Sequence, residues 1–495
     1  MNSKIKATLR KFLSVVLAAL TVFGCAGAAF AAGSDASGTV NGVDWVYTSA
    51  DKTLVLSGSG TLGEDVADFG LFGGSWVAEH VKIGADVNIT TGRVFENFDF
   101  VDEYEVDANN KYLCNPDGVL MDKDKTVLIK YPAGSKEFSF YTVPDTVKTI
   151  SYRAFEFSSA LKTIFLNDGL ETIENFAFDN CGNLLYITIP GTVTSMGKGV
   201  LAQCNLLNKV TIEEGVTAIP EDAFDRCRSL ETVNLPDSLT TIGDIAFFGC
   251  TKLKTLKLPK NLQTFTDSPG RNFGGLNIAL TVDPENQYFS TDDLGVLYNK
   301  DKTLLYYCPN LPYTFDYTVR CDLNKYAFKG CENLRNVDIA YNLRAIPTYA
   351  FNGCKNLNTV TLPATLQRAD GAAFDSSLNT VNYRGTEELW KLITIDSYDN
   401  SAIKSANVVY NYSEEEEPEE ITFTFDRSKS TVTITGSGTL TVNDIKKWDT
   451  SEINTYALKV KIGKNINVTD ARVFCDSIQP FYYICLLYTS DAADD

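Results

Sequence analysis

A period of 23 residues runs through the middle of the chain and leaves few folds open to it. The residue closing an Ala-Phe-like pair falls at Phe155, Phe178, Leu201, Phe224 and Phe247. Three residues after each come Ser158, Cys181, Cys204, Cys227 and Cys250, and six after each come Leu161, Leu184, Leu207, Leu230 and Leu253. A second apolar rung follows at Leu170, Val193, Val216, Leu239 and Leu262, with Val147 ahead of it. The grid resumes at Phe328, Phe351 and Phe374, carrying Cys331 and Cys354, which makes at least eight repeats in two runs. One such unit cannot bury its apolar side alone, so the units must stack as a solenoid. In LETVNLP, Leu230 to Pro236, the first, fourth and sixth residues point inward, while Thr232 and Asn234 lie on the outer face of a short strand. At about 4.8 Å between strands, eight repeats build a curved rod on the order of 40 Å long.

The pattern I-x-x-x-A-F-x-x-C-x-x-L-x-x-V-x-L-P, seen from Ile242 to Pro259, closely resembles the BspA-like class of leucine-rich repeats. The resemblance covers roughly Thr142 to Tyr383 with one interruption. It implies a secreted or surface-attached protein of host-associated bacteria, often tied to adhesion, with no catalytic residues in the repeats. The expected fold is α/β, predominantly β: a right-handed leucine-rich-repeat solenoid with short helical turns at Ala-Phe-x-x-Cys, β-hairpin insertions and β-rich capping modules.

The rest of the chain divides around these repeats. Residues 1–31 read as a signal peptide, with a basic start, an apolar run from Phe12 to Phe23 and small residues up to Ala31. Val22-Phe23-Gly24-Cys25 offers a lipoprotein processing site instead, with Phe unusual at its second position. Residues 32–95 form a β-rich N-terminal capping module, 96–141 a hairpin insertion, 142–265 repeats, 266–318 a second hairpin insertion, and 319–412 repeats with a C-cap. Residues 413–420 are an acidic linker, 421–484 a second, truncated copy of the capping module, and 485–495 an adapter-derived artefact, so that the natural chain is expected to be longer. The two hairpins, Val106 to Pro132 and Val282 to Pro309, resemble each other, each with a KDK turn between apolar stretches. The two caps share VKIG and RVF, nine of fifteen positions being identical between Val81–Phe95 and Val460–Phe474. TEELWKLITI, Thr386 to Ile395, reads as the closing helix of the first array.

Much chemistry is excluded. The formal charge of −19 disfavours nucleic acid and anionic lipid as partners. The single histidine, His80, rules out His-based triads and multi-His metal sites, and reads as structural. The Gly-rich runs at Gly58 and Gly436 follow strands and sit in turns, so they are not phosphate loops. Asp122 and Asp124 lack the graded spacing of a calcium loop and read as turn residues. No cofactor is expected, and no run outside the leader is long enough to span a bilayer.

Cys181, Cys204, Cys227, Cys250, Cys331 and Cys354 share one inward position and read as a ladder of buried free thiols acting as compact hydrophobes. In-register side chains project in parallel and rarely reach disulfide torsions. What remains is surface. Phe165 and Tyr186, with Lys209, Asn234 and Lys257, are the candidate ligand-binding residues on the outer strand face. Thr suits strands and makes an inert face, and the two aromatics could equally stack to shield the start of the array. The function expected is adhesion to, or capture of, a host or bacterial surface protein or glycan by a monomer outside the cell. Two alternatives stand beside it: the targeting arm of an enzyme whose catalytic domain lies further downstream, and a passive spacer.

Overall fold

The computed structural model describes residues 35–413 apart from 68–77, 97, 136–138 and 375–377, together with 422–426, 431–435, 438–439, 459–462 and 466–467. The stretches read above as signal peptide (1–31) and terminal artefact (485–495), and residues 414–420 of the expected linker, lie outside the described residues. The chain falls into two compact units, Met1–Tyr412 and Ser413–Asp495. It is predominantly β, with a few short helices.

The first unit opens with an antiparallel meander of Ala36–Val40, Val43–Thr48 and Thr53–Leu62. Its first turn is Asn41-Gly42, both at positive φ (49° and 79°), the geometry that an Asn-Gly hairpin favours. Thr53–Leu62 then pairs in parallel with His80–Ile83 and Asp86–Ile89. His80–Ile83 pairs in parallel with Glu103–Val106, His80 opposite Glu103, so the 23-residue register begins inside this module. Val101 and Tyr104 fill inward repeat positions there, behind buried Phe95 and Phe98.

In the repeats each coil contributes to three parallel ladders. The long strands Phe140–Thr142, Thr163–Phe165, Tyr186–Ile189, Lys209–Ile212 and Thr232–Asn234 pair in order, each shifted by 23 residues. Two-residue strands form the second ladder: Thr149–Ile150, Thr172–Ile173 and Ser195–Met196, then Ala218–Ile219, Thr241–Ile242 and Thr264–Phe265. The third ladder replaces the helical turn expected at Ala-Phe-x-x-Cys. There the N–H groups of Arg153, Phe155 and Phe157 donate to the carbonyls of Asn175, Ala177 and Asp179 in the next coil. Between them Ala154, Glu156 and Ser158 close tight turns onto Ser151, Arg153 and Phe155. An α-helix would turn every N–H onto its own chain and leave the next coil unpaired. Left-handed residues on both sides of the anchor redirect alternate peptides: Arg153 and Phe157 around Phe155, Phe176 and Asn180 around Phe178, Asp222 and Arg226 around Phe224.

Behind this turn the anchors stack at the rung spacing. Ring centroids are 5.0 Å apart for Tyr131–Phe155 and Phe155–Phe178, 5.4 Å for Phe224–Phe247, 5.7 Å for Phe247–Phe273, and 5.0 and 5.2 Å for Phe328–Phe351 and Phe351–Phe374. Phe273 lies on the helix Pro269–Phe273, so the array continues into residues the sequence assigns to the second hairpin insertion.

The first hairpin continues a ladder of the solenoid, the second stands between its two runs, and both divide its interior. Leu120–Asp122 and Val127–Lys130 pair antiparallel, and Val127–Lys130 extends the second ladder by pairing in parallel with Thr149–Ile150. Successive side chains of a strand point to opposite faces, and here both faces are buried. Leu113, Leu120 and Ile129 join the core of Trp45, Phe95 and Tyr104, whereas Val119, Met121 and Leu128 join that of Phe155 and Phe178. The second hairpin, Leu297–Asn299 with Leu304–Tyr307, does the same. Leu297 and Tyr307 face the Phe247 side, while Val296 and Leu305 face the Phe328 side. Three core compartments result.

A buried asparagine staples each hairpin to the coil before it. Asn286, with no exposed surface, donates to the carbonyls of Pro259 and Leu262 (both 2.9 Å) and accepts from the N–H groups of Tyr288 and Phe289 (both 2.8 Å). Asn110 bonds Gly84, Val87, Tyr112 and Leu113 in the same way. Asp122 accepts from Thr126 N–H and Val127 N–H at 2.7 Å, as a turn residue does.

At the far end of the unit the helix Glu387–Trp390 starts on Thr386, whose hydroxyl accepts from Leu389 N–H. It does not end the array. Thr394–Ile395 pairs with Arg368–Ala369, and Asn407–Val409 with Thr380–Tyr383, completing one further coil. In the second unit Thr422–Asp426 pairs antiparallel with Thr431–Thr435, which pairs in parallel with Lys459–Ile462, and Gly438–Thr439 pairs with Ile466–Asn467. This is the strand pattern of the N-terminal module.

Candidate binding face

The inward positions of the long strands are consumed by the core, so the positions that alternate with them are what this face presents to solvent. Two columns face outward. One runs Phe140, Thr163, Tyr186, Lys209, Thr232, Thr255 and Ala279; the other runs Thr142, Phe165, Thr188, Thr211, Asn234, Lys257 and Thr281. None of these fourteen positions carries a carboxylate, in a chain with 63 acidic residues. Threonine supplies half of them and gives the face short, hydroxyl-bearing side chains.

Phe165 is 54% and Tyr186 52% exposed. They do not face one another: Thr163 lies opposite Tyr186 and Thr142 opposite Phe165, so the two rings are diagonal neighbours. No ring contact joins them. A third aromatic completes the patch. Phe140, 61% exposed, shares the column of Tyr186 with Thr163 between them. It stands 23 residues before Thr163, a signal present in the sequence but hidden by placing the array's start at 142.

The polar candidates differ among themselves. Lys209 is exposed and makes no ion pair among the described residues. Asn234 donates to the Thr211 hydroxyl at 3.4 Å. Lys257 is bound to Asp283 at 2.8 Å; this hydrogen bond raises the amine's pKa and lowers that of the carboxyl, leaving no net charge there. The outward face of the second run is charged instead, with Asp316 paired to Arg335 (3.0 Å) and Asp338 to Arg384 (2.8 Å).

The ladder cysteines are buried, and each thiol has a polar partner. Cys181, Cys204, Cys227, Cys250 and Cys354 donate to the carbonyls of Phe155, Phe178, Leu201, Phe224 and Phe328, one coil back, at 3.0–3.2 Å. Cys331 donates to Cys308 at 3.2 Å. Burial pushes the thiols of Cys204, Cys250 and Cys331 well up, which keeps them protonated as donors. They act as struts between coils, a role beyond that of compact hydrophobes. His80 lies 3.7 Å from Glu103 across the parallel pair. Among the described residues no group of three or more His, Cys, Asp or Glu is placed to hold a metal ion, and no helix is long and apolar enough to cross a membrane.

No curated protein matches the chain. Three solved structures are similar in part. A leucine-rich cell surface protein from Faecalibacterium prausnitzii is 19% identical over 74% of this chain and 99% of its own, with a TM-score of 0.44. The pneumococcal vaccine antigen PcpA is 18% identical over 88% and 99%, with a TM-score of 0.40. A leucine-rich repeat protein from Eubacterium ventriosum is 20% identical over 54% and 100%, with a TM-score of 0.33. The family model for the BspA type leucine-rich repeat region matches six copies, over residues 133–254, 217–269 and 304–417. With half the chain covered by that model and the repeat visible in register, anchor stack and thiol ladder alike, the chain belongs to the BspA type leucine-rich repeat family.

Proposed function

We propose that this chain is a secreted or cell-surface binding protein whose first strand face holds a protein or glycan through contact area, without bond chemistry. The observation that carries this is the patch of Phe140, Phe165 and Tyr186, three half-exposed rings in strand columns whose outward positions carry no carboxylate. Exposed aromatic residues dominate interface hot spots, because they present large, stiff area at small entropic cost. A surface-binding role is also what the family suggests.

The test is binding of the full chain to host matrix proteins and glycans, beside a Phe165→Ala, Tyr186→Ala double variant. Saturable binding that weakens tenfold or more in the variant, about 1.4 kcal/mol, supports the reading. Binding that the variant retains in full moves the site elsewhere. Lys257→Ala combined with Asp283→Asn, which removes the ion pair without changing the charge there, should leave affinity unchanged. Surface location is tested by the access of added protease to the chain on intact cells.

A further inference from the structure

We propose that the occupant of this face is an uncharged polysaccharide chain, laid across the parallel strands with sugar faces resting on Phe140, Phe165 and Tyr186. The proposal rests on the reading of the strand face as a binding site and narrows it to one class of ligand.

The placement of the rings comes first. Phe140 and Tyr186 stand two rungs apart in one column, and Phe165 lies in the other column on the rung between them. Strand spacing and diagonal distances make this a triangle with sides of roughly 8, 8 and 10 Å. The advance per rung is close to that of one pyranose in an extended β-linked chain, so rings two rungs apart meet alternate sugars. The π face of each ring is electron-rich and attracts the polarised C–H groups on the apolar face of a sugar.

Hydroxyls fill the spaces between. Thr142, Thr163 and Thr188 surround the rings, and none of their hydroxyls is engaged in a hydrogen bond within the described protein. Each can both donate and accept, which suits a polyol.

Charge selects the ligand class. The chain carries −19 overall, yet the outward positions from Phe140 to Thr281 hold no carboxylate, Lys257 is neutralised by Asp283, and Lys209 is the one unpaired cation. A polyanion would meet a single free amine within a repelling field, and a basic protein would find no acid to pair with. An uncharged chain has nothing to lose in either respect.

The experiment titrates the full chain with hexasaccharides of β-linked glucose, xylose, mannose and N-acetylglucosamine, with heparin and gelatin as comparators, at low and high salt. The expected result is saturable binding of at least one neutral hexasaccharide, insensitive to salt and weakened tenfold or more by Tyr186→Ala or Phe165→Ala. Lys391→Ala, at the C-cap of the helix at the far end of the unit, should retain it. Both rings are half-exposed, so unchanged circular dichroism and melting will show that the variants fold. Failure of every neutral hexasaccharide to bind overturns the proposal. If gelatin or heparin then binds and loses affinity in Phe165→Ala, the strand-face reading stands and only the ligand class is wrong.

Discussion

Two adjacent residues should report on two different parts of the protein. Leu128 and Ile129 are next to one another on the first partition strand, and both are essentially inaccessible to solvent. Leu128 faces the core of Phe155 and Phe178, and Ile129 that of Trp45 and Tyr104. Truncating either to alanine removes three buried carbon atoms and leaves a cavity, which costs about 3 kcal/mol. If the compartments open separately, the loss falls on one side of the partition. Native-state hydrogen exchange in Leu128→Ala should then accelerate roughly a hundredfold at amides such as Ile150, Phe155 and Ile173, and stay near wild type at Leu54, Val81 and Tyr104. Ile129→Ala should show the reverse. The same set of accelerated amides in both variants would refute the partition and make the two cores a single cooperative unit.

Other expectations follow from the same geometry. Asn286→Ala strips four hydrogen bonds from a fully buried site and leaves the Leu262 carbonyl and the N–H groups of Tyr288 and Phe289 without them, while Pro259 keeps the Leu262 N–H; urea unfolding should show a loss of about 3 kcal/mol. Cys227→Ala removes a packed sulfur and its bond to the Leu201 carbonyl; a loss of about 1–2 kcal/mol is expected, and no labelling of wild-type Cys227 by thiol reagents before unfolding. Glu156 is 1% exposed beside Arg153, Lys130, Asp99 and Asp179, and burial pushes its pKa up to about 7 from 4.5. The folded state therefore holds this proton more tightly than the unfolded state. The stability it contributes is complete below pH 4.5 and lost as pH rises through about 7, so melting points should fall over that window in wild type and flatten in Glu156→Gln.

The solenoid was legible because its inward residues repeat in type as well as in spacing: a Phe, a Cys and a Leu at fixed offsets leave no other way to bury them. The partitions were not, since Leu120-Met121 and Leu128-Ile129 are apolar pairs whose two destinations are set by cores far apart in sequence. The left-handed positions were hidden for another reason. Glycine, the usual marker of positive φ, occupies only some of them, at Gly199, Gly249, Gly330 and Gly353; Arg153, Phe176, Asp222 and Tyr349 hold the same conformation because inter-coil hydrogen bonds enforce it. Of the candidate face, Phe165 and Tyr186 were readable as outward by alternation, but their diagonal offset and the loss of Lys257 to Asp283 depend on register and on a residue from another coil. The thiol bonds were invisible, because nothing in the spacing says which carbonyl lies beneath each cysteine.

Division of the interior also bears on how the protein meets tension. A coil peeled from its neighbours releases 23 residues, which extend to about 75–80 Å at 3.3–3.4 Å per residue, where one rung had occupied only about 4.8 Å. Each internal wall seals the apolar contents of its section, so a pulled chain can reel out the coils of one section while the next stays dry. Under drag such a protein would lengthen in instalments, one walled section at a time.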